Sequence, residues 1–157
     1  MILVEVNVHE NLDGLSEKIK RVVKLAHRDL IADITGNLSE YAPKDTGDLQ
    51  VSFHMEQTGE LEARAVSDVN YAIPVSEGTD PHEIWPDEQK ALAFEWPTGP
   101  TELLEKFEDK TKGDDVVILG KVEHPGIEGT GYIDDAISDA TDRIDWFVER
   151  ALREVDL

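Results

Sequence analysis

Apolar and polar residues alternate in "ILVEVNV", where Ile2, Val4, Val6 and Val8 share one face, the period-two pattern of a half-buried strand. The period then changes. Leu12, Leu15, Ile19, Val22, Val23, Ala26, Leu30, Ile34 and Leu38 recur every three or four residues and predict one amphipathic helix from about Leu12 to Glu40. Pro43 disfavours helical geometry at Ala42, so this helix must stop between Asn37 and Pro43. "VSFHMEQ" and "LEARAVSD" flank "TGE" and predict a hairpin with Gly59 in its turn. A second pair of strand-like runs, "ALAFEW" and "DVVILGKVE", encloses a charged, Pro/Gly-bounded segment at about 98–114. Leu103, Leu104 and Phe107 are spaced there for a short helix, and the segment is expected to project from the sheet. Ile133, Ile137, Ala140, Ile144, Phe147, Val148, Ala151, Leu152 and Val155 draw one terminal helix, with Asp134 and Asp135 near its start, where the helix dipole favours them.

The order strand, long helix, antiparallel strands, helix predicts an α+β fold, an antiparallel sheet packed by a long N-terminal helix and a C-terminal helix. With 157 residues the chain is expected to form a single domain over 1–157 around one ordinary core. There is no βαβ alternation, no Gly-rich phosphate loop and no internal repeat.

The junction "YAPKDTGDLQVS" links the long helix to the first hairpin. Pro43 ends the helix, and Asp45 or Thr46 caps a tight turn in which Gly47 takes the left-handed conformation. Leu49 is expected to plug the helix end, with Val51 and Phe53 starting the strand on the same inward face.

Charge changes the picture most. The chain carries 35 Asp+Glu against 15 Lys+Arg, a formal net charge of −20 spread over helix faces and turns. Self-repulsion of that size is best tolerated where salt screens it, since the Debye length falls to about 3 Å at 1 M. The pattern fits a halophile or its virus. Contiguous acids imitating phosphates would instead mark a DNA mimic, and groove recognition of DNA would need the opposite sign. The chain has no cysteine, which removes disulfides and thiolate metal sites. No run approaches the roughly 20 apolar residues of a membrane span, and no basic region precedes the apolar N-terminal stretch, so a soluble protein without a secretory signal is expected.

Candidate chemistry is sparse. His9, His54, His82 and His124 have acids nearby but no paired-His helix spacing, so no metal or cofactor is expected. "DTG" at Asp45–Gly47 resembles an aspartic-protease loop, yet that chemistry needs two such carboxylates, and the turn reading is preferred. No activated nucleophile is evident, and the chain is not expected to be an enzyme. A small hydrolase using His82 or His124 with a neighbouring acid is a remaining alternative. The loops "EGTDPHEIWP" and "HPGIEGTGY" are composed either for rigid turns or for presenting a partner surface, and Trp85, Trp96 and Tyr132 serve as interface anchors or core aromatics.

Four blocks in order carry a resemblance. "APKDTGDLQVSF", "VNYAIPVSEGT", "PHEIWPDEQKALAF" and "VEHPGIEGTGYIDDAI" resemble the signature segments of the tail-completion (minor tail component) proteins of long-tailed double-stranded DNA phages. They span about Leu12 to the C-terminus. Three departures stand out: Ser76 where the family often has Glu, Asp48 and Gln50 where basic residues are frequent, and Gly131-Tyr132 for a common Pro-Phe. The loss of basic residues agrees with a halophilic version, as in a haloarchaeal virus.

The resemblance implies a virion structural protein of the head–tail connector, or neck, made in the host cytoplasm. It would be a homo-oligomer, usually a six-fold ring, between a connector or stopper protein and the tail tube or terminator protein. Genome DNA would pass through its lumen without specific binding, helped by acidic side chains that repel phosphates. Interface candidates are Tyr71, Gly78, Thr79, Pro81, His82, Trp85, His124, Pro125 and Gly126. The alternative is an acidic monomeric binding protein such as a DNA mimic or inhibitor.

Overall fold

A computed structural model of the chain describes residues 1–8, 14–86, 92–95 and 116–156. Leu12, His9, Trp96 and the expected insert at 98–114 lie outside the described residues. The fold is α+β, and the chain forms two compact units, Met1–Gly78 with Glu128–Leu157, and Thr79–Ile127.

In the first unit, β1 (Ile2–Asn7), β2 (Phe53–Gly59) and β3 (Glu62–Ser67) make an antiparallel sheet in the order β1-β3-β2. The β2–β3 hairpin forms as the alternation predicts, but Gly59 closes β2 opposite Glu62 and the turn falls on Glu60-Leu61 instead of on Gly59. β1 departs from simple alternation: Ile2 pairs with Val66 and Val4 with Ala65, so Leu3 is an extra residue opposite a single step of β3. Such a bulge rotates the chain. Leu3 joins Val4 and Val6 against the core while Ile2 is 46% exposed, which corrects the expected face of Ile2.

α1 (Glu17–Tyr41) starts later than its periodicity suggests, because the Ser16 hydroxyl accepts a hydrogen bond from the Ile19 N–H and caps it there. Leu15 is therefore outside the helix and exposed. The buried face is Val22, His27, Ile31, Ile34, Asn37 and Leu38. Two of these are polar, and each has a long-range partner. His27 Nε2 donates to the Val6 carbonyl at 2.9 Å, tying α1 to β1, and Asn37 Nδ2 donates to the Ala136 carbonyl at 3.1 Å.

The single terminal helix is in fact two, α4 (Tyr132–Asp142) and α5 (Ile144–Glu154). Arg143 between them has φ −96° and ψ 5°, and its N–H bonds back three residues to Ala140. Its side chain explains the break. Nη2 donates to Asn37 Oδ1 at 3.1 Å and lies 2.7 Å from Asp33 Oδ2, while Nε donates to the Asp139 carbonyl at 3.2 Å. Bent at this point, both halves lie on α1.

Ile31, Ile34 and Leu38 of α1 share a buried cluster with Ala63 and Ala65 of β3, Ala72, and Ala136 and Ala140 of α4. A second small cluster joins Val22 to Ala151 and Val155. Alanines hold the surfaces beneath α1 close to its axis.

The second unit contains β5 (His82–Ile84) paired with β8 (Val122–His124) and β6 (Leu92–Glu95) paired with β7 (Val116–Leu119), both antiparallel. The expected single strand "DVVILGKVE" is thus split at Gly120-Lys121 into β7 and β8, each with its own partner, and one continuous sheet is replaced by separate ribbons. Two further short strands, β4 (Gly78–Thr79) and β9 (Ile127–Glu128), pair with each other. Among the described residues no helix is long and apolar enough to cross a membrane.

Ala65 is fully buried beneath the α1 knobs, so Ala65→Leu is expected to overpack the core and destabilise the protein by about 1–3 kcal/mol. Urea titration of the variant against the parent measures it, and an unchanged midpoint would mean that the floor can yield.

Candidate functional site

The junction Pro43–Leu49 has a different form from a bare turn. Gly47 has φ +91° and precedes a one-turn helix, α2 (Asp48–Val51), which follows α1 almost at once. Thr46 makes the local contacts: its hydroxyl donates to the Asp48 carboxylate at 2.7 Å and accepts from the Asp48 N–H at 3.3 Å. Gln50 and Ser39 exchange side-chain-to-backbone hydrogen bonds at 2.7 and 3.0 Å, locking α2 to α1. Leu49 is buried at the helix end as expected. Val51, expected inward at the start of the strand, lies in α2 and is 83% exposed, because the helical turn reverses its direction.

Tyr71 sits over this junction. With Pro43, Asp45, Thr46, Gly47, Asp48 and Leu49 it lines an open recess of about 300 Å³. The residues expected to form a turn and the first residue expected at an interface are thus one place. Tyr71 then leads into α3 (Ala72–Glu77), which ends at Gly78 with φ +85°.

α3 is the partner of the loop before α4. Thr130 N–H donates to the Val75 carbonyl at 3.1 Å and Gly131 N–H to the Ser76 carbonyl at 2.9 Å. The buried Ser76 hydroxyl accepts from the Ile133 N–H at 3.2 Å, satisfying an otherwise open donor in the first turn of α4. Tyr132, buried, donates its hydroxyl to the Ala72 carbonyl at 3.0 Å and packs its ring 6.2 Å from Phe53. Tyr132 is therefore a core aromatic and not an exposed anchor. Gly129 lies against the α3 backbone, where an added Cβ would meet the Ser76 carbonyl at 2.5 Å.

In the second unit the remaining candidates gather on one ribbon. His82 and His124 are cross-strand partners with ring centroids 5.0 Å apart. Their Nδ1 atoms are used differently. His82 Nδ1 lies 2.9 Å from the Asp80 carbonyl, which can only accept, so it carries the proton; His124 Nδ1 accepts from the Gly126 N–H at 3.1 Å. Neither ring is hydrogen-bonded to a carboxylate, which leaves the acid–base pair of a hydrolase unformed among the described residues. Coordination of a metal through Nε2 of His124 would need a proton on Nδ1 and would break the Gly126 bond. Among the described residues no group of three or more His, Asp or Glu side chains gathers closely enough to hold a metal. Gly126, with φ +81°, lies so close to Thr79 and Pro81 that a Cβ would meet the Thr79 carbonyl at 2.2 Å. Pro125 and Trp85 are exposed, and the Lys121 ammonium lies 5.7 Å from the Trp85 ring centroid. Lys121 also pairs with Glu83 and, at 3.3 Å, with Glu123, contacts that raise its pKa and lower that of Glu83.

Sequence reasoning missed Asn37, Arg143 and Trp146, and marked Ser76 only as a departure from the family pattern, without its hydrogen bond to α4. Of the three missed, only the Asn on an apolar helix stripe left a readable trace. Trp146 lines a second recess of about 350 Å³ with Asp29, Ala32, Asp33, Arg143, Phe147 and Arg150. Burial raises the pKa of Asp33 there, and the Arg143 guanidinium opposes the rise.

Comparison with known protein families, with curated proteins and with solved structures finds no match to this chain.

An added Cβ at Gly47 would meet nothing within 4 Å, so the cost of Gly47→Val is conformational alone, about 1–2 kcal/mol. Thermal unfolding should show this loss for valine and a smaller one for Gly47→Asn; equal stability of Gly47→Val and the parent would refute the left-handed assignment.

Burial pushes the Tyr132 hydroxyl up to about 12, and the hydrogen bond to Asp139 raises Tyr41 as well. An unfolded tyrosine loses its proton near pH 10. Between these values the folded state holds the extra proton, so the stability from Tyr132 is complete below about pH 10 and disappears as pH rises towards 12. Urea midpoints across that range should fall for the parent and fall less for Tyr132→Phe.

Proposed function

We propose that this chain is a neck subunit of a tailed double-stranded DNA virus adapted to high salt. In this reading it forms a ring between the connector and the tail tube, and the genome passes through the lumen.

The observation that supports it best is the way the family-like blocks engage one another. "VNYAIPVSEGT" and "HPGIEGTGYIDDAI" lie far apart in sequence, yet the Val75, Ser76 and Ala72 contacts with Thr130, Gly131, Tyr132 and Ile133 join them. "APKDTGDL" shares its recess with Tyr71 of the second block. Chance matches have no reason to fall on the joints of one fold. Residues that set the geometry of a common scaffold do. The Ser76 departure also acquires a physical role, because its hydroxyl caps α4 where the family often has a carboxylate. A subunit of this kind works by binding and needs no catalytic group.

The net charge of −20 accords with the same reading in two ways. It suits molar salt, and acids facing a lumen would repel the phosphates of passing DNA.

Particles purified at molar salt are expected to hold about six copies of the chain at the head–tail junction, located by imaging and cross-linking of the neck. Absence from the particle would overturn the proposal and favour the acidic monomeric inhibitor.

A further inference from the structure

Among the described residues two indoles stand out of the surface, and each is held there. Trp85 is 62% exposed beside the exposed Ile84, with Lys121 poised over its ring and fixed in turn by Glu83 and Glu123. Trp146 is 49% exposed, its ring 5.3 Å from that of Phe147 and 5.5 Å from the Arg150 guanidinium carbon. Arg150 is steadied by Asp29 at 3.6 Å and Arg143 by Asp33 at 2.7 Å. Aromatic groups fixed before contact lose little entropy on binding, which is the character of interface anchors.

The two places differ in shape and in charge. The ribbon end presents Trp85 and Ile84 among Asp80, Glu83 and Glu123, with Lys121 as the cation paired to the two glutamates. The recess of α1, α4 and α5 presents an open indole beside two guanidinium groups, balanced by Asp29 and Asp33 in the same lining, and so carries no excess of carboxylates on a chain whose net charge is −20. A ribbon set against a second ribbon would oppose like carboxylates, and at close range that is unfavourable. A ribbon set against the recess places apolar on apolar and carboxylate near guanidinium.

We infer that the β5–β8 ribbon of one copy docks in the α1–α4–α5 recess of another, with Trp85 and Ile84 against Trp146 and with Glu83 and Glu123 towards Arg143 and Arg150. The interface is heterologous, so it propagates from copy to copy and closes into a ring if the rotation allows. In its ring-forming sense the inference rests on the proposed neck function.

The test uses full-length chains at molar salt. Trp85→Ala removes the knob and keeps the recess; Arg150→Glu spoils the recess and keeps the knob. By sedimentation velocity and native mass spectrometry, the parent should self-associate and each variant alone should lose about tenfold or more in association. An equimolar mixture of the two should form one-to-one heterodimers and nothing larger, because each partner retains a single working face. A parent that stays monomeric, a variant that assembles as the parent does, or a mixture that stays monomeric would each overturn the inference. Circular dichroism checks that both variants fold. Because the chain has no cysteine, mixing Glu83→Cys with Arg150→Cys copies gives a second readout. Oxidation should yield the mixed disulfide in preference to either symmetric one, and the reverse preference would count against the docking. Particles that carry the chain at the neck but assemble normally with these variants would defeat the docking and spare the neck function; one-to-one pairing by a chain absent from particles would do the opposite.

Discussion

The first unit depends on how closely α1 can approach its neighbours. Ile31 and Leu38 are fully buried and Ile34 nearly so, and the surfaces that receive them are floored by Ala63, Ala65, Ala136 and Ala140. Methyl-sized floors let a helix lie near a sheet and near another helix at once, and large knobs from one side then fill the space at crystal-like density. A larger residue on any floor would lift α1 away from the other surfaces as well as its own. Sheet, α4 and α5 are coupled through this one helix.

That coupling needs direction, and apolar contact alone supplies little. The direction comes from a few buried polar groups. His27 bonds the Val6 carbonyl, Asn37 bonds the Ala136 carbonyl, and Arg143 reaches back to Asn37 and Asp33. Each would leave an unpaired group in a poorly hydrated place if its helix slid by one residue, so each penalises the wrong register more than it rewards the right one. Ser76 acts in the same way at the start of α4, where its hydroxyl fixes the first turn.

This division explains what could be read from the chain. Alternation and three-to-four spacing report large apolar residues, and the α+β class, the β2–β3 hairpin, α1 and the positive φ of Gly47 were all legible from them and from the turn chemistry. The floor was not, because an alanine in "EARAVS" or "DDAISDA" carries almost no hydropathy signal while deciding how near two elements come. The break at Arg143 was invisible for a related reason: no Pro or Gly marks it, and its cause is a side chain bonded to residues about a hundred positions away. The Leu3 bulge and the outward Val51 were missed because a single added residue or a single helical turn inverts a face without altering composition. At the candidate site, the Pro43–Leu49 turn was legible as local chemistry, whereas its recess with Tyr71 arises only when distant segments meet.

The distribution of charge bears on how such a surface can work. Several cations on or beside α1 are engaged in pairs, Lys20 with Glu17, Arg28 and Arg150 with Asp29, and Arg143 with Asp33. Pairs whose cations remain open to solvent add little stability, typically below about 1 kcal/mol each. Their greater effect is on the field. Within the recess that Trp146 lines, Asp29 and Asp33 balance Arg143 and Arg150 on a chain whose net charge is −20. At low ionic strength two such chains repel over tens of ångströms, and at molar salt the repulsion is confined to about 3 Å. Burial of an exposed indole is not weakened by that screening. For the docking proposed above, salt would remove the long-range obstacle and leave the short-range attraction, so association of copies is expected to strengthen from dilute solution to brine.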